Sequence, residues 1–305
     1  MCGIAGIMYK KGPGPLGRDL LDMLDAIKHR GLDSTGVAVY QHRGNGHAGA
    51  LMMTVGLEPG ADARAAQVAV SGVLEDLGVA SHFTAVKGTI LEFGVAPTDA
   101  LRILSDRVEA LPGVQEILSL GEELQVIKDL GTASDIDRLY EIAKVESSHG
   151  IGHVRLATES CVDRSRAHPF WAYSFKDVAI VHNGQLTNYH NLRRKFQALG
   201  YRFRTDNDSE LIAVYTAHYL AAGEDLQDIL ERSRGDLDGS YTFLVSSPHG
   251  LGYAKDALGA KPLVEIETDD VVLLASEEVA LRRIIPDEGI SVVEPAPSEV
   301  KTWRN

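Results

Sequence analysis

The sequence predicts an α+β protein with stacked β-sheets in the middle, helices outside, and a further α+β unit set into the chain at about residues 44–149. Three observations predict it. After Gly150, short apolar runs bounded by turn residues recur, as in packed sheets. Segments with helical spacing separate them. From about Gly44 to His149 helices and strand-like runs follow a pattern of their own, and no polar or Pro/Gly-rich linker flanks them, so the unit reads as an insertion in one larger domain.

The opening "CGIAGIMY" is small and β-branched, suited to a strand buried where bulk is not tolerated, with Cys2 at its start. In "GRDLLDMLDAIKHRG", Leu20, Leu21, Leu24 and Ile27 share a helical face, and Gly31 after Lys28, His29 and Arg30 reads as the stop. "GVAVY", residues 36–40, is the next strand by its Val and Tyr content. In the insertion, "ARAAQVAVSGVLEDLG" and "TDALRILSDRVEALPG" are amphipathic helices around the strand-like "FTAVKGTILEFGV". A strand pair, "QEILSLGEELQVIKDLG", and a helix, "SDIDRLYEIAKVESSHG", complete it. Beyond Gly150 the strands are "IGHVRLAT", "VAIVHNG", "YTFLVSS", "LGYAK", "KPLVEIE" and "DVVLLAS". Two helices lie among them: "NYHNLRRKFQALG", with Leu192, Phe196 and Leu199 on one face, and "DSELIAVYTAHYLAAG", apolar nearly all round and so expected to be buried.

Composition narrows the function. Thirty Lys and Arg against forty-three Asp and Glu give a net charge of −13, which disfavours a phosphate-rich partner, so nucleic acid is not expected. No basic segment leads into an apolar stretch at the N-terminus and no run approaches a membrane span, so a cytoplasmic protein is expected. Two cysteines cannot build a disulfide framework, and a reducing compartment would leave both as thiols. No phosphate loop and no cysteine cluster for iron–sulfur ligation is present, so no cofactor or metal is expected on this chain.

A thiol at position 2 raises a chemical question. An unperturbed cysteine titrates near roughly 8.5 and is mostly protonated at neutral pH, so a nucleophilic Cys2 needs a base. If Met1 is removed, the freed α-amine of Cys2, with a reference pKa of about 7.7–8.0, can take the thiol proton directly or through water. Taken alone, a cysteine at position 2 is more often incidental to a frayed end.

The surrounding motifs change that weighting. "MCGIAG", "RGLDSTG" at Arg30–Gly36, "GHVRLAT" at Gly152–Thr158, "AHPF" at Ala167–Phe170, "HNGQLTN" at His182–Asn188 and "DSE" at Asp208–Glu210 occur in order. Weaker echoes are "GSY", "KDALGAKPL" and "ASE" at Ala275–Glu277. In these blocks the chain resembles the class II glutamine amidotransferases, members of the N-terminal-nucleophile hydrolases, over nearly all of its length except about residues 44–149. The resemblance implies a four-layer αββα sandwich in which Cys2 forms a γ-glutamyl thioester with L-glutamine and releases ammonia to a synthase site.

It also implies roles. Asn183 and Gly184 match the oxyanion hole, which calls for preorganised donors, although "NG" alone reads as a hairpin turn. Arg155 matches the arginine that takes the α-carboxylate, a bidentate task, its plainer alternative being a surface ion pair. Asp208 matches the aspartate for the α-ammonium and could also cap the helix at "SELIAV", with Asp206 as a neighbour able to do either. Thr158 and His168 match positions lining the pocket, and Arg30 and Asp33 are expected to support it through a buried ion pair. Cys161, outside every block, is expected to be an ordinary buried thiol. Leu156 stands where many relatives carry an aromatic residue.

The long insertion is most like the glutaminase regions of glutamate synthases and the small subunit of N-methylglutamate synthase. No synthase region follows the last block before Asn305, so the ammonia acceptor is expected on a separate synthase subunit of glutamate-synthase type carrying FMN. The insertion then serves as its docking surface or, equally, is a decorative extension or a homodimer contact. Two alternatives are a non-catalytic glutamine-binding or scaffold subunit and a stand-alone amidohydrolase acting on another amide.

Overall fold

A computed structural model describes residues 2–41, 50–156, 163–173 and 175–304. The chain enters as strand β1 (Gly3–Tyr9), turns into helix α1 (Leu16–Ala26) and returns as β2 (Ser34–Tyr40). Leu20, Leu21, Leu24 and Ile27 are buried together, as their spacing requires. The helix ends sooner than its pattern suggests. A 3-10 turn covers Lys28–Arg30, and Gly31 is extended rather than a left-handed stop. Close approach is what demands glycine there, since a Cβ on Gly31 would lie 2.3 Å from the Arg155 carbonyl carbon.

Next come β3 (Leu51–Leu57), α2 (Ala63–Asp76), the hairpin β4 (Ser81–Lys87) and β5 (Ile90–Val95), α3 (Leu101–Glu109) and β6 (Val114–Gly121). Their strands form a separate antiparallel sheet in the order β4-β5-β3-β6. Strand β7 (Leu124–Leu130) does not stay with β6, contrary to the pairing read from the sequence. It runs antiparallel to β2 in a different sheet, and helix α4 (Ala133–Tyr140) packs against β2 and β7. Asp177 holds the turn between β6 and β7, its carboxylate accepting from the N–H groups of Glu122, Glu123 and Leu124. Of the stretch expected as one insertion, the separate sheet therefore takes 51–121, and the remainder rejoins the main body.

The second half contributes β8 (His149–Arg155), β9 (Phe170–Trp171), β10 (Ala179–Leu186), α5 (Tyr189–Ala198), α6 (Asp208–Ala221), α7 (Leu226–Asp236), β11 (Gly239–Ser247) and β12 (Gly250–Lys255). It closes with β13 (Val264–Glu267), β14 (Val271–Ala275), α8 (Glu278–Ile284) and β15 (Val300–Arg304). Helices α7 and α8 and strands β3, β9 and β15 escape the sequence-based reading. Leu199 is not on the buried face of α5. The helix ends at Ala198, and Leu199 caps it with 56% of its surface exposed.

Two antiparallel sheets make the body, β13-β14-β1-β8-β2-β7 and β15-β12-β11-β10-β9. They face one another. A Cβ on Gly6 of β1 would come 3.0 Å from Leu244 of β11, which is why β1 is built of small residues. Helices α1 and α8 cover the outer face of the first sheet and α6 and α7 that of the second, giving four αββα layers. One apolar core runs between the sheets and under α1, and another, including Phe196, Leu211, Ile229 and Phe243, lies beneath α5–α7. Each such fully buried side chain contributes roughly 1.5–3 kcal/mol. No helix among the described residues is long and apolar enough to cross a membrane.

Candidate active site

Strand β1 lies between β14 and β8, so the residue before it emerges at the edge of the sheet sandwich. That residue is Cys2. Its carbonyl accepts from Arg30 Nε at 2.9 Å and from Asn183 Nδ2 at 3.2 Å, and its thiol points at the Leu156 carbonyl, 3.7 Å away. Both sheets thus fix its main chain. Asn183 Nδ2 is also 3.4 Å from Ser276 Oγ, which accepts from Ile4 N–H at 3.0 Å. The ion pair of Arg30 goes to Glu277, at 2.5 Å, and His29 meets the same carboxylate at 3.0 Å. Burial alone would raise the Glu277 carboxyl, but Arg30 and His29 hold it below the usual range. Asp33 sits behind this group, its N–H donating to the Arg155 carbonyl at 3.0 Å.

A cleft of about 760 Å³ opens here, lined by Cys2, Arg155, His168, Asn183, Gly184 and Asp208 among others. Arg30 also reaches it. Asn183 and Gly184 are not in a turn. They lie inside β10, opposite Thr242 and Tyr241 of β11, and the strand runs on to Leu186. Gly184 has φ +139°, and a Cβ on it would stand 2.0 Å from the Ser240 carbonyl oxygen, so no other residue fits without moving β11.

Asp208 is the first residue of α6, and the cap is its neighbour: Asn207 Oδ1 accepts from Ser209 N–H at 2.9 Å. The Asp208 side chain turns instead to β10, accepting from Leu186 N–H at 2.9 Å and lying 3.5 Å from His182 Nδ1. Burial pushes its carboxyl up, while His182 and the Leu186 and Ser209 N–H groups outweigh burial and leave it below the ordinary value. Asp206 points outward to Arg193, at 3.2 Å. Thr158 and Cys161 lie outside the described residues.

Two histidines that the sequence reading passed over complete the site, His182 in the cleft wall and His153 behind it. Ser209 Oγ lies 2.8 Å from His168 Nε2 and 3.0 Å from His182 Nδ1, and the His153 ring stacks on His168 at 4.1 Å. Desolvation, then the nearby Arg155 and His182, press His153 down to about 3, and His168 is likewise held well below the usual value by burial and by its neighbours. Both rings are neutral at physiological pH. Strand periodicity held the clue: His153 shares a face of β8 with Arg155, and His182 shares one of β10 with Gly184.

Four αββα layers with this cleft at the end of both sheets define the N-terminal-nucleophile hydrolase fold. A family model described as a glutamine amidotransferase domain matches residues 153–283. A Methanothermobacter thermautotrophicus protein named "Putative glutamine amidotransferase" is 35% identical over 99% of both chains. The "Glutamine amidotransferase-like protein GlxB" of Rhizobium meliloti is 35% identical over 99% of this chain and 98% of its own. The chain belongs to the class II glutamine amidotransferases and is an enzyme of that amide-hydrolysing, ammonia-transferring kind. Among solved structures, the glutamine phosphoribosylpyrophosphate amidotransferase of B. subtilis superposes with a TM-score of 0.58 at 19% identity over 99% of this chain, a likeness of fold. This chain spans 49% of that one, and 31% of the glutamine–fructose-6-phosphate aminotransferase of Acidithiobacillus ferridurans, to which it is 32% identical over 62% of its own length.

Proposed function

We propose that this chain hydrolyses L-glutamine to glutamate through a thioester on Cys2 and hands the ammonia to a separate synthase subunit. The observation that carries the reading is the convergence of Cys2, Arg155, Asn183, Gly184 and Asp208 on one cleft from β1, β8, β10 and α6. Once Met1 is removed, the Cys2 α-amine accepts the thiol proton and the thiolate attacks the carboxamide carbon. Charge gathering on the carbonyl oxygen is met by Asn183 Nδ2 and the Gly184 N–H. The C–N bond then breaks, the ammonium of Cys2 returns its proton to the leaving nitrogen, and water cleaves the thioester to glutamate. Arg155 takes the α-carboxylate and Asp208, kept ionised by its neighbours, the α-ammonium. His168 completes the pocket wall.

The end-to-end match with the Methanothermobacter and Rhizobium proteins supports a glutaminase unit that works as its own chain. Its partner, on this reading, is of glutamate-synthase type and carries the FMN. Replacing Cys2 with Ala should lower glutamine hydrolysis by about a thousandfold or more. A glutamine-like electrophile should add once to the wild type, at Cys2, by mass. Full activity in the alanine variant, or Met1 retained on an active protein, contradicts the mechanism.

A further inference from the structure

Strand β6 of the separate sheet does not line the cleft, yet three of its consecutive residues hold the two loops that do. Gln115 Nε2 donates to Asp163 Oδ1 at 3.2 Å. Glu116, 4% exposed, faces Lys128 Nζ at 3.2 Å, Arg164 Nε at 3.8 Å and Arg204 Nη1 at 3.9 Å. Ile117 N–H donates to Glu109 Oε1 and its carbonyl accepts from Arg204 Nη1, both at 2.7 Å. Arg204 Nη1 also meets Glu109 directly at 2.7 Å, and its guanidinium lies 5.1 Å from the centre of the Tyr173 ring. Arg164 reaches into the sheet at Gly56, where a Cβ would come 2.7 Å from Nη2, and donates to the Leu57 carbonyl at 2.5 Å and to Thr89 Oγ1 at 2.7 Å.

These anchors lead directly into the cleft. Arg164 opens the turn Arg164–Arg166, and Arg166 and His168 are wall residues. Lys128 Nζ donates to the Ala167 carbonyl between them, at 3.1 Å. On the other loop, the N–H groups of Arg204 and Thr205 donate to the Glu210 carboxylate at 2.8 Å each, and residues 206–208 follow as wall. Glu109, Glu116 and Glu210 balance Lys128, Arg164 and Arg204. Ions so deeply buried keep their places only while paired, which gives two irregular loops a fixed geometry that they could not supply themselves.

We propose that β6 is a positioning element for the amino-acid pocket, with Glu116 setting affinity for glutamine by holding Arg164 and Arg204. Glu116 touches no substrate and acts through those two arginines. The proposal rests on the glutaminase reading above. Its value is preorganisation: loops already in their bound geometry lose less freedom when glutamine enters.

The test compares wild type with Glu116→Gln in the full chain, following alkylation of Cys2 by iodoacetamide, a reagent without an amino-acid head. The glutamine concentration that half-protects Cys2 should rise about tenfold, and KM with it, while kcat and the alkylation rate without glutamine stay near wild type. Unchanged protection overturns the proposal, and so does equal loss in every readout, which would mark general structural damage. Absence of protection in the wild type would instead sink the glutaminase reading. Because stripping one charge from a buried cluster can block folding, Glu116→Gln/Lys128→Met, which removes one charge of each sign, is measured alongside; it too should need more glutamine to protect Cys2, and wild-type protection in it overturns the proposal. A third readout needs no variant: amide exchange at Ile117 and Arg204 should slow about threefold once a glutamine-like electrophile occupies Cys2. Identical exchange in the two forms overturns the proposal whether or not the variants fold.

Discussion

Two buried polar clusters back the cleft, and they solve the problem of burial in opposite ways. Against β10 and α6, His168 and His182 share one serine hydroxyl, His153 stacks on His168, and burial keeps His153 and His168 neutral. Against β6, three carboxylates face two arginines and a lysine. A histidine can escape the cost of burying a charge by releasing a proton near neutral pH. An arginine cannot, so its burial obliges partners. The rings of His153 and His168 therefore add no charge behind the cleft, while the strongly charged cluster fixes the two loops that lead into it.

The sharpest way to break this contrast is Arg204→Met. It leaves Glu109, Glu116 and Glu210 one cation short, and should cost about 3–5 kcal/mol of stability by urea denaturation. A loss within about 1 kcal/mol would mean that the charges are far better solvated than their burial implies.

Acid probes the histidine side. The folded His153 titrates near 3 and the unfolded one near 6.5, so between those values the unfolded chain binds a proton that the native protein refuses. Stability from His153 is complete above pH about 6.5 and is lost as pH falls towards 3, at up to about 1.4 kcal/mol per pH unit. Carboxylates such as Asp208 add loss of the same sign, so the diagnostic is the difference between wild type and His153→Gln. The variant should show a shallower slope by about one proton in this window, and superimposable slopes would mean that native His153 is protonated after all.

Ser209→Ala should have the smallest effect. It removes the hydroxyl shared by His168 and His182 but leaves the Ser209 N–H on Asn207, costing about 1 kcal/mol in thermal unfolding, with a modest rise in glutamine KM. Ser209→Thr, which keeps the hydroxyl, should restore the KM. If it does not, the Ser209 hydroxyl has no part in placing Asp208, which the Leu186 and Ser209 N–H groups then hold.

Much of the cleft was readable in the chain, because its residues sit in short blocks whose residue types announce their chemistry. Asn183, Gly184, Arg155, Asp208 and His168 were all named from such blocks and lie together with Cys2. Local reading erred where geometry depended on a distant neighbour. Gly31 resembled a helix stop and is instead a point of contact with β8, and "NG" resembled a turn yet continues a strand, because β11 runs beside it. The partner of Arg30, Glu277, is 247 residues away. Strand β6 could not be distinguished from half of a hairpin with β7, since both are apolar runs around a Gly-Glu-Glu turn, and only the sheets they join separate them.

The amino-acid sequence by itself determined many of the elements, the layered α+β character and the reacting residue types, because side-chain periodicity and short motifs are local properties. Only the tertiary structure decided that Glu116, in a strand the sequence paired with β7, would meet Arg164 and Arg204, and that two of the histidines would be forced neutral. Both outcomes depend on which charges are removed from water together, and that is fixed by how sheets and loops pack across the whole chain.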